Sequence, residues 1–124
     1  MTKALKNPFS TKETVASATL SQVKISPRKL RLVVDLVRGK HIEEALQILR
    51  FLPKKGAEIA EKLLLSAISN ARETTNADID SLYIGRVTVD MGKTMKRFMP
   101  RAQGRATQIL HRSSCVKFDL VAGV

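Results

Sequence analysis

The spacing of apolar residues predicts a strand followed by a helix in the first third of the chain. Residues 14–25 are rich in β-branched and small side chains, which favour a strand. Ser26 and Pro27 form a typical helix start, an N-cap followed by proline at the first helical position. From Leu30 the apolar residues recur at helical spacing, and Gly39 predicts the end of this first helix.

The same spacing predicts two more helices. Residues 41–52 form the second helix, which Pro53 ends. The third helix runs from Pro53 to about Thr74 and has one continuous apolar face. The members of that face are Ala60, Leu63, Leu64, Ala67, Ile68 and Ala71.

From Leu82 the pattern changes to the alternation of a strand. The residues predicted to share one side are Tyr83, Val87, Val89 and Met91. A last strand is predicted from three apolar residues at period two, Val116, Phe118 and Leu120. Residues 92–109 show neither a helical nor a core pattern. Paired as a hairpin over about 82–118, arms of roughly 40 Å would exceed a core of roughly 25–30 Å, so the hairpin is predicted to protrude.

These elements predict three helices, three strands and a long protruding β-hairpin. Residues 14–124 are predicted to form a single globular domain, and residues 1–13 a basic N-terminal tail. A hydrophobic content of 44% is enough for a core. We expect no membrane partner, since no segment has the roughly 18 apolar residues of a membrane span. One cysteine indicates a reducing, cytosolic compartment.

Charge divides the 124-residue chain into two basic ends and a mildly acidic middle. The formal charge is +11, with net +7 in residues 1–40, −2 in residues 41–90 and +6 in residues 91–124. A surface that is merely soluble mixes its signs. The distribution therefore predicts a polyanionic partner, above all nucleic acid, contacted by the two ends.

Basic residues cluster at two predicted helix starts. Arg28, Lys29 and Arg31 open the first helix, and Lys54 and Lys55 open the third. Cations at a helix N-terminus oppose the helix dipole, whereas a phosphate there is bound by side chains and free N–H groups together. We interpret both starts as phosphate-binding positions, although solvated surface bases would also explain the second.

Residues 91–117 contain seven Lys or Arg and no carboxylate, and the most informative segment within them is Lys93 to Arg105. Arginine suits phosphate forks and stacking, and exposed Phe98 and methionines would be unusual in a plain solvent loop. The predicted nucleic-acid-binding residues here are Lys93, Lys96, Arg97, Arg101, Arg105 and Arg112. Aromatic residues make up only 4% of the chain, so recognition is expected through phosphate, sugar and shape.

Catalysis, cofactors and metals find little support. His111 and Cys115 would lie on one face of a strand but roughly 13 Å apart, too far for a base and its nucleophile. His41 is more simply a residue at the start of the second helix. One cysteine and two histidines are too few for a metal site. We expect no enzyme activity, no cofactor, no metal and no small-molecule substrate.

Four segments resemble the family of large-subunit ribosomal protein twenty-two. They run from Ile25 to Lys40 (ISPRKLRLVVDLVRGK), Pro53 to Ala57, Leu65 to Ala71, and Val89 to Ala106 with its MKRFMPRAQGRA run. Their order matches the family over about residues 16–120. The first 15 residues and Cys115 match no family motif.

The resemblance implies an α+β fold, with three helices packed on a small three-stranded antiparallel sheet and a long protruding β-hairpin. It also implies a structural protein of the large ribosomal subunit, cytoplasmic and located in the ribosome. It would bind large-subunit rRNA, aid its assembly and contact neighbouring large-subunit proteins. Its hairpin would line the exit tunnel and meet the nascent peptide. The residues that this places at or near the hairpin tip are Met95, Lys96, Arg97, Phe98, Met99, Pro100 and Arg101.

Two alternatives stay open at this point. An architectural DNA-binding protein also uses basic β-arms, which it inserts into a groove. An accessory of an RNA-modifying enzyme or an assembly chaperone would also suit the charge distribution.

Overall fold

The computed structural model describes residues 13–76, 78–100, 102–104 and 106–122. This part of the chain is α+β, with three helices and five antiparallel strands in two sheets. The helices are α1 (Pro27–Asp35), α2 (Ile42–Phe51) and α3 (Lys55–Thr75). The strands are β1 (Thr14–Val23), β2 (Leu82–Met91), β3 (Met95–Pro100), β4 (Ala106–His111) and β5 (Ser114–Ala122).

The larger sheet has three strands in the order β1-β5-β2, with β5 in the centre. The predicted period-two residues of β5 are all buried, and so is the predicted apolar face of α3. Helices α1 and α3 pack against this sheet and close the core. Phe118 is the largest of the fully buried side chains. The three predicted helices and the first and last strands are thus confirmed, with ends shifted by a few residues.

The buried face of β2 differs from the prediction. Register with β5 shifts between Ile84 and Arg86, so a β-bulge lies at Gly85. A bulge adds one residue and reverses which side chains face the core. Leu82 and Ile84 are therefore buried before the bulge, whereas the half-buried Tyr83 is not part of the face that Val87 and Val89 continue. Met91 lies on the same side as Val87 and Val89, as predicted, but it is 64% exposed at the end of the pairing with β5.

The outer edge of β2 is covered by the segment around α1. Gly39 donates its N–H to the Ile84 carbonyl, and Ile84 donates its own to the Lys40 carbonyl (3.1 and 3.0 Å). Further along, the guanidiniums of Arg38 and Arg31 donate to carbonyls of the same strand. These hydrogen bonds satisfy the edge backbone groups of Ile84 and the carbonyls of Val87 and Val89, which would otherwise be open to another chain.

The second sheet is a two-stranded ribbon of β3 and β4, in the segment where no pattern was predicted. Its register runs from Met95 opposite His111 to Pro100 opposite Ala106. The three residues Ala102–Gly104 form the turn. Every residue of β3 is exposed. The strand therefore lacks the alternation of buried apolar and exposed polar residues by which half-buried strands are recognised.

The predicted long hairpin is confirmed only in part, because β2 and β5 do not continue directly into the ribbon. Their pairing ends at Met91 opposite Ser114, and the ribbon begins at Met95 opposite His111, with three residues between Met91 and Met95. In the joint between the two sheets, Gly92 donates its N–H to the Ser113 carbonyl (2.8 Å), and the Ser113 hydroxyl donates to the Lys93 carbonyl. The arm thus consists of two paired segments, β2 with β5 and β3 with β4, which are connected by a hydrogen-bonded joint.

The predicted N-terminal tail, residues 1–13, lies outside the described residues except for Glu13. The assignment of residues 14–124 to one domain stays a prediction. Among the helices of the described ranges, none has the length and apolar character needed to cross a membrane.

Candidate nucleic-acid interface

The two basic helix starts predicted to bind phosphate lie together in one groove of about 450 Å³. We call it the helix-start groove. Its described lining residues are Lys24, Ile25, Ser26, Lys29, Leu32, Val33, Lys54, Lys55 and Gly56, four of them lysines and none of them acidic. All four lysines are exposed. An anion in this groove would face several ammonium groups with no carboxylate competing for them.

Glycine at position 56 allows the start of α3 to approach α1 this closely. A Cβ built there would lie 3.0 Å from Leu30 Cδ1 and 3.3 Å from Val33 Cγ2. Contacts this short would push the helices apart. The close approach sets Lys54 and Lys55 beside the start of α1.

The first turn of each of these helices offers backbone N–H donors. Ser26 caps α1, with its hydroxyl accepting from the Lys29 N–H at 3.5 Å, a long contact. At α3 the N-cap is Lys54, which makes no side-chain cap hydrogen bond. Free N–H groups and local positive charge favour an anion at a helix start. This geometry agrees with the phosphate-binding interpretation of Lys29, Lys54 and Lys55.

A second groove, of about 690 Å³, lies where the ribbon meets the larger sheet. We call it the junction groove. Its described lining residues are Gln22, Lys24, Ser26, Lys93, Met95, Arg97, Leu110, His111, Arg112 and Ser113. Four of them are Lys or Arg, all exposed, and none is a carboxylate. The groove therefore brings three of the predicted binding residues, Lys93, Arg97 and Arg112, to one concave surface.

The ribbon presents a mixed basic and apolar surface on both faces. Residues directly opposite each other in an antiparallel pair share a face. One face consists of Met95, Arg97, Met99, Thr107, Ile109 and His111. The other consists of Lys96, Phe98, Pro100, Ala106, Gln108 and Leu110. Phe98 is 71% exposed, and among the residues of β4 only Ile109 is half-buried. Both faces are thus available to a partner.

Arg31 has an intramolecular role that the sequence did not indicate. Its Nε and Nη2 both donate to the Val89 carbonyl, at 3.2 and 2.9 Å. Arg38, seven residues later, donates from Nη2 to the Val87 carbonyl at 3.0 Å. The seven-residue spacing, which places two side chains on one side of a helix, was the available clue. At least two of the N–H donors of Arg31 are therefore engaged within the protein.

The remaining predicted binding residues divide among three places. Arg28 is exposed in the first turn of α1, and Lys96 lies on the ribbon face that Arg97 does not share. Arg101 and Arg105 lie outside the described residues. Lys24, which sequence reasoning missed, lines both grooves.

The predicted tip residues are distributed along β3. Pro100 ends the strand, next to the turn at Ala102–Gly104. Met95 lies at the other end of the strand, beside the joint with the larger sheet, where it is paired with His111. Of the predicted set, Met99 and Pro100 are thus the described residues nearest the turn.

The histidines and the cysteine have structural surroundings. His41 is the N-cap of α2: its Nδ1 accepts the Glu43 N–H at 3.2 Å, and its Nε2 lies 2.7 Å from the Asp80 carbonyl oxygen. His111 ends β4 and Cys115 lies in β5, so the assumption that they share one strand was wrong. Within the described ranges there is no group of three or more potential metal ligands.

An α+β scaffold with two basic concave surfaces and a two-faced basic ribbon is typical of a protein that binds a polyanion. Comparison with known families identifies which kind. Residues 18–120 match the sequence profile of the family described as Ribosomal protein L22p/L17e. The chain belongs to this family. It is therefore a structural constituent of the large ribosomal subunit, a cytoplasmic ribosomal protein and not an enzyme.

Curated relatives agree with this assignment. The chain is 57% identical over 94 residues to large ribosomal subunit protein uL22 of Syntrophotalea carbinolica, covering 76% of this chain and 86% of the relative. Identity to the protein of the same name from Pelobacter propionicus is 51% over 105 residues, with coverages of 85% and 95%. For Caldicellulosiruptor saccharolyticus it is 52% over 99 residues, with coverages of 80% and 81%. These similarities favour the ribosomal interpretation over an architectural DNA-binding protein.

Proposed function

We propose that this protein binds large-subunit rRNA through its two grooves and its ribbon, and so aids assembly of the subunit. We further propose that the turn end of the ribbon lines the nascent-peptide exit tunnel. The observation that carries the proposal is the combination of two basic grooves and a ribbon exposed on both faces. The described lining residues of the grooves include lysine and arginine but no carboxylate.

Phosphate neutralisation is the main source of binding in this proposal. Each phosphate contact by Lys or Arg releases condensed counterions and adds to affinity. The groove lysines and arginines carry no ion pair with a described carboxylate, whereas Lys62 and Arg50 on the helices are paired with Glu58 and Glu61. The groove cations are thus available to RNA, and cations elsewhere are partly neutralised by the protein itself.

The shape of the ribbon supports insertion between two surfaces. An isolated two-stranded ribbon is marginally stable in water. Here Phe98 and Met95 are exposed on opposite faces, each beside a cation. A ribbon placed between RNA elements would bury both faces at once. Its turn at Ala102–Gly104 would then be the part exposed in the tunnel, where it would meet the nascent peptide and neighbouring large-subunit proteins.

The rRNA-binding part is tested by charge reversal of Arg97, Arg101 and Arg105 together, with Lys62→Glu as the control. Lys62 is exposed on α3 and pairs only with Glu58 (3.5 Å) among the described residues. We expect the triple variant to be lost from large subunits on a high-salt sucrose gradient and the control to remain. Equal retention, or equal loss, would contradict the proposal. Sedimentation with the nucleoid would favour the DNA-binding alternative.

The tunnel-lining part is tested by photocrosslinking in ribosomes that carry a stalled nascent chain. A photoreactive amino acid is placed at Gln103, in the turn, and at Thr19, which is exposed in β1 of the larger sheet. We expect crosslinks to the nascent chain from the Gln103 position only. If neither position crosslinks while both variants assemble normally, the tunnel-lining proposal fails and rRNA binding is unaffected.

A further inference from the structure

The helix-start groove and the junction groove share two lining residues, Lys24 and Ser26. Of these, only Lys24 carries a charge. One groove extends from it toward Lys29, Lys54 and Lys55, and the other toward Lys93, Arg97 and Arg112. Lys24 thus lies at the meeting point of two concave basic surfaces that are formed by distant parts of the chain.

The backbone around Lys24 is held firmly. Val23 is buried at the end of β1, and the Ile25 N–H donates to its carbonyl at 2.9 Å, which makes Lys24 the central residue of a three-residue turn. The Ile25 carbonyl in turn accepts from the Ser114 hydroxyl of the central strand. The Lys24 side chain is exposed, and no described residue forms an ion pair with it. The fold therefore fixes the backbone of Lys24 where the two grooves meet and leaves its ammonium group available.

We propose that the two grooves form one continuous track for a single RNA backbone and that Lys24 binds a phosphate at their junction. This inference rests on the proposed rRNA binding and extends it, because separate RNA segments in the two grooves would satisfy that function equally well. With no carboxylate among the described lining residues of either groove, the track has no repulsive interruption for a chain of phosphates.

The first test is the salt dependence of binding to large-subunit rRNA transcribed in vitro. Lys24→Gln is compared with wild type and with Lys62→Gln, both substitutions being at exposed sites. Loss of one phosphate contact should reduce the slope of log affinity against log salt by about 0.7–0.9, and affinity by about five- to eightfold at 0.1 M salt. The Lys62→Gln variant should match wild type.

The second test examines continuity of the track by directed hydroxyl-radical cleavage. In a Cys115→Ser background, a tethered iron chelate is placed at Leu32→Cys in one groove and at Leu110→Cys in the other. Cleavages from the two positions should fall in one contiguous stretch of rRNA. Cleavages in unconnected RNA segments would overturn the single track.

The outcomes separate this inference from the function on which it rests. If wild-type protein binds rRNA with a steep salt dependence while Lys24→Gln behaves as Lys62→Gln, the role of Lys24 is refuted and rRNA binding stands. If wild-type protein shows no specific binding to the rRNA, both fail. A Lys24→Arg variant that restores the wild-type slope would confirm that the charge at this position is what binds.

Discussion

Substitution of Gly92 by alanine should specifically weaken the joint between the two sheets. The Gly92 N–H donates to the Ser113 carbonyl at 2.8 Å, and this hydrogen bond connects the end of β2 to the segment before β5. A Cβ at position 92 would lie 2.6 Å from Ser113 Oγ and 3.3 Å from the Ser113 carbonyl carbon. Gly92 is not among the residues with positive φ, so the cost comes from contact and not from backbone strain.

The loss of stability can be worked out from the displacement of the Ser113 side chain by the new methyl group. The Ser113 hydroxyl donates to the Lys93 carbonyl, so rotating it away loses a hydrogen bond worth about 0.5–1.5 kcal/mol. The remaining close contact with backbone adds an overpacking cost of about 1 kcal/mol. Alanine also reduces the conformational entropy of the unfolded chain, which offsets about 0.4–1 kcal/mol of this loss of stability. We expect a net destabilisation of the joint of about 0.5–2 kcal/mol.

The stability of this joint can be measured directly by hydrogen exchange and mass spectrometry on peptides that span the ribbon. The expected loss corresponds to roughly two- to thirtyfold faster exchange at the joint and in β3 and β4. Peptides from α3 provide the internal control and should not change. The matched variant is Ser113→Ala, which removes the Oγ that the new methyl group would meet and leaves neighbours at 3.3 Å or more.

The double variant, Gly92→Ala with Ser113→Ala, tests whether the contact with Ser113 Oγ causes the destabilisation. If the clash with Ser113 Oγ is the cause, Gly92→Ala should cost at most half as much in the Ser113→Ala background as in wild type. An equal cost in both backgrounds would refute the contact explanation. So would faster exchange that is confined to α3.

Three further predictions concern stability and are read from urea denaturation. Phe118→Ala empties the centre of the core and should lower the free energy of unfolding by about 3–5 kcal/mol; a loss under 1 kcal/mol would show that the core collapses around the site. Arg31→Gln removes the guanidinium that donates twice to the Val89 carbonyl and should cost about 1–3 kcal/mol. Arg28→Gln, at an exposed site, should cost almost nothing. Similar values for both variants would argue against a role of Arg31 in covering the edge of β2. His41→Ala removes the N-cap of α2 and should lower the free energy of unfolding by about 1 kcal/mol. His41→Asn, which can still cap the helix, should recover most of this loss. No recovery would mean that the ring contact with Tyr83, at 5.1 Å between centroids, matters more than the cap.

The candidate interface could be predicted in its chemistry but not in its shape. Acid-free basic segments are visible in the sequence, and most of the groove lysines and arginines were predicted from them. Lys24 was missed because it is a single base between a strand and a helix, with no neighbouring cluster to mark it. Arg31 was assigned to RNA because a sequence does not show that the Val89 carbonyl, 58 residues away, accepts from it. Contacts between distant residues leave no local periodicity.

The three helices, β1, β5 and the charge distribution could be predicted from the sequence, because helix periodicity, caps and charge are properties of neighbouring residues. The phase of β2 required the folded structure, since one bulged residue at Gly85 reverses its faces. The folded structure alone also showed the pairing of β3 with β4, whose exposed faces carry no core pattern. The meeting of the two helix starts at Gly56, and of both grooves at Lys24, likewise depends on packing between segments that are far apart in the chain.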